Sequence, residues 1–479
     1  MLPGVTLAQK GSRLKVPGDH ATISAALDAS AAGAVIVVAK GLYEETLTLK
    51  PGVRLEGAGA NLTVVRGPGS DSVLDATDAK GAEVIGVGFE HPDQTANPGR
   101  GEPLVHIGGV GGVTLSACVM AKGWGDGVRI DGGKDVIFKG CEVNEPRGHG
   151  IRIRGAGVVL KDCKVVFAGL EGVRVESGSH LKALKVVVQG SKGVGLRGEG
   201  DDTKLELEGL ISKVNIRDGL FLEGCRATLK DCEVVANDRG GVSAIRTIIA
   251  VDGGRVTGNK RNGLALMRGA KATVKGVEVK GNEFSGIAIV NAGGEAKVTE
   301  VDTSDNKHYG VFVHQGARAE LLQVTADRNG FSGASAADEG TEIVIADSKF
   351  RDNLKHGVSV TGEAVGTLSK IAAERNKMQG VGVFDRARAK LVRSSAKENG
   401  SNGLQVWKGA SVEAERNTFD KNKQSGIEIN GRESRLKLKR NRCRWNTEFG
   451  VRFCSGAAAF KIGSDNQLMK NRRGKVGSR

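Results

Sequence analysis

Residues 259–290 read NKRNGLALMRGAKATVKGVEVKGNEFSGIAIV, and this stretch decides the fold. Within it an Asn stands four residues ahead of a Gly, and an apolar–any–apolar triplet follows: Asn259/Gly263 with Leu264-Ala265-Leu266, then Asn282/Gly286 with Ile287-Ala288-Ile289. The unit recurs downstream at Asn306/Gly310, Asn329/Gly333, Asn353/Gly357, Asn376/Gly380, Asn399/Gly403, Asn422/Gly426 and Asn446/Gly450. Upstream it appears at Asn237/Gly241 and Asn215/Gly219, and Gly127, Gly150, Gly172 and Gly193 carry the phase further back. Successive glycines lie 21 to 26 residues apart, so the chain is an internal repeat.

The triplet after each Gly alternates with period two, as in Gly127-Val128-Arg129-Ile130, and predicts a short strand. A second short strand precedes each Asn, as in Ala272-Thr273-Val274 and Val277-Glu278-Val279. A unit this small cannot bury its own apolar face. Stacking units about 4.8 Å apart makes each strand one rung of a parallel sheet and joins the apolar faces into one core. No helical stretch of βαβ length intervenes. The Asn suits an inward turn whose stacked side chains hydrogen-bond down a ladder. The expected fold is therefore all-β, a parallel β-helix of roughly 18 coils and on the order of 85 Å at that rung spacing. One domain is expected over residues 1–479: a cap and first coils at 14–60, the main solenoid at 61–430, and a basic final coil and tail at 431–479.

Composition agrees. Gly contributes 72 of 479 residues, hydrophobic residues 39% and charged residues 26%, which excludes a disordered chain. No apolar run reaches the length of a membrane span. Lys and Arg outnumber Asp and Glu, 70 to 55, for a net charge of +15. The first ten residues, Met1 to Lys10, show no charged n-region followed by an apolar h-region, so no secretory leader is read. Cys118, Cys141, Cys163 and Cys232 each stand nine residues before their Gly, and Val277, Val301 and Val324 fill that slot later. The slot reads as an interior column of small apolar side chains, hence buried thiols rather than disulfides. The nearest pair, Cys225 and Cys232, is too widely spaced for a metal motif, and no metal or cofactor is expected. A reduced, cytoplasmic protein is the expectation.

The repeat resembles the right-handed parallel β-helix proteins of the pectin-lyase-like superfamily, in particular the group with degenerate repeats of the carbohydrate-binding and sugar-hydrolase type. The opening residues carry the same likeness. Ala21 to Ala29 form a short amphipathic helix with Ile23, Ala26 and Leu27 on one face. Val35–Val38, Gly41–Glu45 and Pro51–Gly57 follow, in the order of a capping helix and first coils. Such a cap protects an otherwise open sheet end. The likeness implies the fold across nearly the whole chain, and for activity it implies anything from lyase, hydrolase or epimerase to a non-catalytic binder.

If positions two and four after each Gly point outward, three regions emerge. In the first, position four runs Asp131, Arg154, Glu176, Arg197, Glu223, a charge-alternating ladder, beside a like-charged stripe of Arg129, Arg152 and Arg174. Asp126, His149 and Glu171 stand just before their glycines. The set reads either as a surface ion network or as an acid, an imidazole and stacked arginines able to abstract a proton beside a bound carboxylate. That chemistry belongs to uronic-acid lyases of the superfamily, and on that reading Asp126, His149, Arg129, Arg152 and Arg174 form the catalytic set.

The second region is an apolar and small-residue strip, with Phe221, Met267, Phe312, His314, Phe384 and Trp407 as candidate groove residues. It reads either as a surface covered by the chain's own turns or tail, or as a groove for a polysaccharide, peptide or protein partner. The third region is the C-terminal end. From Gly431 onward there are 14 Lys and Arg against three acids, a site for a polyanion or a solvated basic cap.

Family motifs are incomplete. Gly148-His149-Gly150 and Arg152-Ile153-Arg154 match galacturonase elements but lie fused in one coil, and no paired-Asp coil accompanies them; Asp201-Asp202 reads as a turn. No clustered acids of the calcium-dependent pectate-lyase kind are present. The Glu90-His91-Pro92-Asp93 loop, extending to Arg100, can overhang a cleft but does not match the epimerase motif. The leading expectation is a non-enzymatic scaffold binding a partner along its sheet face, and the alternative is a lyase, hydrolase or epimerase acting on an acidic polysaccharide.

Overall fold

The computed structural model describes residues 11–67, 71–92, 101–109, 111–457 and 461–478. The N-terminal ten residues read for a leader, and residues 93–100 of the Glu90–Arg100 loop, lie outside them. The chain divides into two compact units, Met1–Asp238 and Arg239–Arg479.

In both units the common coil is a strand of about four residues after the repeat Gly, a tight turn, a strand of similar or greater length, a bend, and a three-residue strand, which in the coils at Asp302 and Thr325 shrinks to a single bridge. In the second unit, for example, Ile287–Val290 is followed by Glu295–Thr299, and Leu264–Met267 by Lys271–Lys275 and Glu278–Lys280. Within each unit successive rungs pair in parallel: Val128 faces Ile151 in the first, and Leu264 faces Ile287 and Ile287 faces Val311 in the second. Glycine strands in the first unit run from Leu47–Thr48 to Leu220–Glu223, and in the second from Val242–Ile245 to Gly474–Ser478. Alternation places positions one and three inside. Val128, Ile130, Ile287 and Ile289 are fully buried, each worth about 1.5–3 kcal/mol of transfer free energy.

The Asn ladder is present. Each side-chain amide donates to the Oδ1 of the next Asn, and that same oxygen accepts the backbone N–H of the first. Asn282 bonds Asn306 at 3.0 Å by both routes, and Asn353 bonds Asn376 at 3.0 and 3.1 Å. The second unit's ladder ends on Asn471, which takes two bonds from Asn446. Glycine four residues on is required by crowding: a Cβ on Gly286 would stand 2.7 Å from the Asn306 amide nitrogen and 2.8 Å from the Gly310 carbonyl.

Interior Cys118, Cys141, Cys163 and Cys232 are at most 4% exposed and stack in one column with Val186 and Leu210. Burial pushes the Cys232 thiol up to about 11, so it stays protonated. In the later coils this column changes character. After Val324 it runs Ser348, Ile371, Ser394, Asn417, Asn441, and Asn417, Asn441 and Asn466 form a second amide ladder at 3.0 and 3.1 Å.

The predicted cap forms as helix Ile23–Ala29 with Ile23, Ala26 and Leu27 buried. Thr22 caps it through the Ala25 N–H at 3.1 Å, and Glu45 accepts the Ile23 and Ser24 N–H groups at 2.9 and 2.8 Å.

Register corrects one phase. Arg174 faces Arg197 and Val173 faces Leu196, so Gly195, not Gly193, holds the repeat position. Ser191 stands in the Asn slot four residues earlier, and its N–H donates to Asn215 Oδ1 at 3.0 Å. Position two therefore runs Arg129, Arg152, Arg174, Arg197, Phe221, and position four Asp131, Arg154, Glu176, Glu199, Glu223. The expected alternation through Arg197 does not exist on that face. A charge-alternating column stands instead at the corner after the short strand of the second unit: Asp305, Arg328, Asp352, Arg375, Glu398, Lys421, each with φ between 53° and 62°. Arg328 grips Asp305 at 2.7 and 2.8 Å, and Arg375 grips Asp352 at 2.9 Å twice.

Candidate functional site

In the first unit the residues ahead of the glycines converge. Asp126 is buried; its Oδ1 accepts the His149 N–H at 2.8 Å and its Oδ2 lies 3.4 Å from Arg129 Nε. His149, also buried, sets Nδ1 3.0 Å from Glu171 Oε2. That imidazole holds the Glu171 carboxyl down at about 2. The arginine stripe is neutralised from its flank. Arg152 and Arg174 both bind Glu176 at 2.8 Å, Arg174 reaches Glu199 at 3.1 Å, and Arg129 reaches Glu102 at 3.0 Å. Burial opposes ionisation of Glu176, yet the two guanidiniums outweigh it and keep the carboxyl below its usual range.

A cavity of about 240 Å3 opens beside this network, lined by Trp124, Asp126, Arg129, Arg147, His149 and Arg152 among others. One wall is fixed by His91. Its Nδ1 accepts the Trp124 N–H at 3.1 Å, so Nε2 carries the proton that reaches the Asp71 carbonyl at 2.9 Å. Trp124 Nε1 donates to the Pro92 carbonyl at 3.1 Å. Burial lowers the His91 pKa, consistent with a neutral ring. Of the expected catalytic set, Asp126, Arg129, His149 and Arg152 line one cavity, and Arg174 lies in the adjoining ion network.

The second unit carries a different kind of site. Its glycine strands hold small residues at position two in consecutive coils, with Ser335 facing Ser359 and Ser359 facing Gly382. Over them lies a hollow of about 360 Å3. Ser335, Ser359, Ala337 and Thr361 line it together with Tyr309, Phe312, Phe331, Met378, His356 and Phe384. Ser359 donates to Ser335 at 2.8 Å, and Thr361 donates to Asp385 at 3.0 Å. Phe384 lies back over Gly382, where a Cβ would stand 2.4 Å from the ring. The walls are rigid through ring stacking. Tyr309 and Phe312 centroids are 4.5 Å apart, Phe312 and His314 4.3 Å, Phe284 and His308 4.7 Å, and His308 and Phe331 4.9 Å. Burial lowers the His356 pKa to about 4.

Of the six groove residues expected from sequence, Phe312 and Phe384 line this hollow, and His314 supports it through Phe312. Met267 stands in the same outer column two coils before His314. Trp407 pairs with Lys408, whose Nζ is 4.7 Å from the ring centroid. Phe221 belongs to the first unit, under Arg197 at 4.8 Å. The aromatics that sequence reading missed, Phe284, Tyr309 and Phe331, occupy the two positions before each Gly. Tyr309 stands directly before its Gly, as Asp126, His149 and Glu171 do, and Phe284 and Phe331 stand one residue earlier. Among the described C-terminal residues, Gly474–Ser478 adds a rung on Phe449–Cys454 and does not line the hollow.

At the basic end, acids of neighbouring rungs take up part of the charge. Asp420 binds Arg442 at 3.2 Å and Arg444 at 3.1 Å, and Arg452 binds Glu448 at 2.6 Å. Trp445 lies between Arg444 and Lys470, 4.1 and 5.8 Å from its centroid. No helix among the described residues is long and apolar enough to cross a membrane.

A family model described as "Right handed beta helix region" matches residues 103–247, 193–347 and 332–477. No curated protein matches the chain. Among solved structures, the chain is similar to the A-module of the Azotobacter vinelandii mannuronan C-5 epimerase AlgE4, at 16% identity and a TM-score of 0.31, covering 83% of this chain and 94% of that one. It is similar to pectin methylesterase PemA from Erwinia chrysanthemi at 13% identity and a TM-score of 0.27, over 46% and 80% of the two chains. A third is tailspike protein gp49 of the Acinetobacter baumannii bacteriophage Fri1, a capsular polysaccharide depolymerase, at 13% identity and a TM-score of 0.33, over 61% and 53%. With most of its length matched by the family model and its strands stacked in parallel coils, this chain belongs to the right-handed β-helix family.

Proposed function

We propose that the protein binds a polysaccharide on the glycine-strand face of its second unit, in the hollow between Phe312 and Phe384. One observation carries the reading: aromatic walls and a hydroxyl floor meet in one concavity. Apolar rings suit the C–H surfaces of a sugar, and hydroxyls that donate and accept suit its oxygens. The first unit's arginines, by contrast, are largely paired with carboxylates of the same coils. Calorimetry against immobilised or soluble glycans tests the reading. The pair Phe312→Ala and Phe384→Ala is expected to weaken binding at least tenfold, and unchanged affinity refutes it.

A second reading rests on the first unit's cavity. There His149, paired with Glu171 at 3.0 Å, lies beside Arg129, Arg147 and Arg152. An imidazole next to guanidiniums suits proton abstraction from a uronate whose carboxylate an Arg holds. It predicts an unsaturated or epimerised product from uronate polymers, lost in His149→Ala, and an inert protein across such polymers refutes it.

A further inference from the structure

We infer that the hollow of the second unit selects an uncharged sugar chain and discriminates against uronates, an inference that rests on the polysaccharide reading above. The argument is one of charge and hydrogen-bond chemistry. The lining contains one cation, Lys355, whose ammonium already lies 5.9 Å from the Phe331 centroid. Asp385 stands directly behind Thr361, 3.0 Å from its hydroxyl, and Asp338 lies 3.8 Å from the His314 ring on the Phe312 side. His356, the lining imidazole, is neutral at pH 7 because burial lowers its pKa to about 4. No arginine lines the hollow, whereas three line the first unit's cavity.

A carboxylate moved from water into this site loses its hydration and meets no guanidinium in exchange. Asp385 behind Thr361 is already paired with Lys408 at 3.3 Å, so that lysine's charge is not left for a bound carboxylate. A sugar hydroxyl finds the opposite situation. Ser359 and Thr361 commit their protons to Ser335 and Asp385 and keep lone pairs that accept from a sugar hydroxyl, while Ser335, the acceptor of that chain, keeps its own proton to donate. Tyr309, Phe312, Phe331, Met378 and Phe384 then cover its apolar surfaces. From the rung of Phe312 to that of Gly382 is roughly 14 Å at about 4.8 Å per rung, room for a short run of a chain rather than a single unit.

The test compares hexasaccharides that differ at C6. Calorimetry at pH 7 with the full chain uses β-1,4-linked mannose, glucose and xylose hexamers, and β-1,4-linked mannuronate and glucuronate hexamers. A neutral hexamer is expected to bind at least tenfold more tightly than its uronate counterpart, and Ser359→Trp, which fills the hollow, is expected to abolish that binding. Thr361→Arg places a guanidinium in the hollow and is expected to shift preference toward the uronate; this gain does not depend on how well the filled variant folds. If uronates bind as tightly as neutral chains and Ser359→Trp removes both, the charge inference is overturned while polysaccharide binding stands. If Ser359→Trp leaves all binding intact, or no hexamer binds, the hollow is not the site and both readings fall.

Discussion

Asn353 offers the sharpest test of how the fold holds the site, because its turn carries Lys355 and His356 into the hollow. Its side chain is fully buried. Nδ2 donates to the Ala326 carbonyl and to Asn376 Oδ1, both at 3.0 Å. Oδ1 accepts the Asn329 backbone N–H at 2.9 Å and the Asn329 side-chain amide at 3.1 Å. Asn353→Ala removes all four bonds. It strands the Asn329 N–H, one Asn329 amide proton and the Ala326 carbonyl in a dry interior. At about 1 to 1.5 kcal/mol each, near the low end for buried groups left unmade, the loss over three groups is roughly 3 to 4.5 kcal/mol. Asn471→Ala, at the half-buried end of the same ladder, is expected to cost less than half as much, since water replaces its partners. Hydrogen exchange over residues 326–332 together with urea unfolding measures both. A loss below about 1 kcal/mol, or unaccelerated exchange at Asn329, would refute the view that the amide ladder sustains the coils.

Three further outcomes are expected. Gly382→Ala leaves the backbone unstrained but displaces the Phe384 ring, so thermal stability changes little while glycan affinity falls, as titration would show. The lowered pKa of His91 means that its neutral form is favoured by folding; that stabilisation is complete above about 6.5. It is lost as pH falls toward the lower folded value, so Trp124 fluorescence and unfolding midpoint decline together in mild acid, and His91→Gln flattens the decline. Asp420→Asn leaves Arg442 and Arg444 without their shared buried carboxylate and is expected to destabilise the last coils by about 3 kcal/mol, read by denaturation at low and high salt.

Much of this architecture is written in local pattern. The Asn-to-Gly spacing demands a tight inward turn in every coil, and the alternation after each Gly fixes which side chains are buried. The cap helix was legible because Ile23, Ala26 and Leu27 share a helical face. The phase at Gly193 was not, since Gly193 and Gly195 both fit a loose period and only pairing partners in space choose between them. The hollow was half legible. Phe312 sits on a strand and Phe384 directly follows one, so the pleat gives their direction, but Tyr309 and Phe331 stand ahead of their strands, where no such alternation applies. At the basic C-terminal end, charge summed from Gly431 onward leaves out Asp420, which stacking brings beside Arg442 and Arg444.

The charged corner of the second unit has a bearing on how such a chain can lengthen or shorten. The backbone motif returns every coil, but the sign at Asp305, Arg328, Asp352, Arg375, Glu398 and Lys421 returns only every other coil. Excising one coil would set Arg328 against Arg375, two cations on adjacent rungs, whereas excising two would set Arg328 against Glu398 and keep every neighbour attractive. The genetic unit of growth that this surface tolerates is thus a doublet, and a slip of a single turn during assembly is marked as an error by repulsion at its edge.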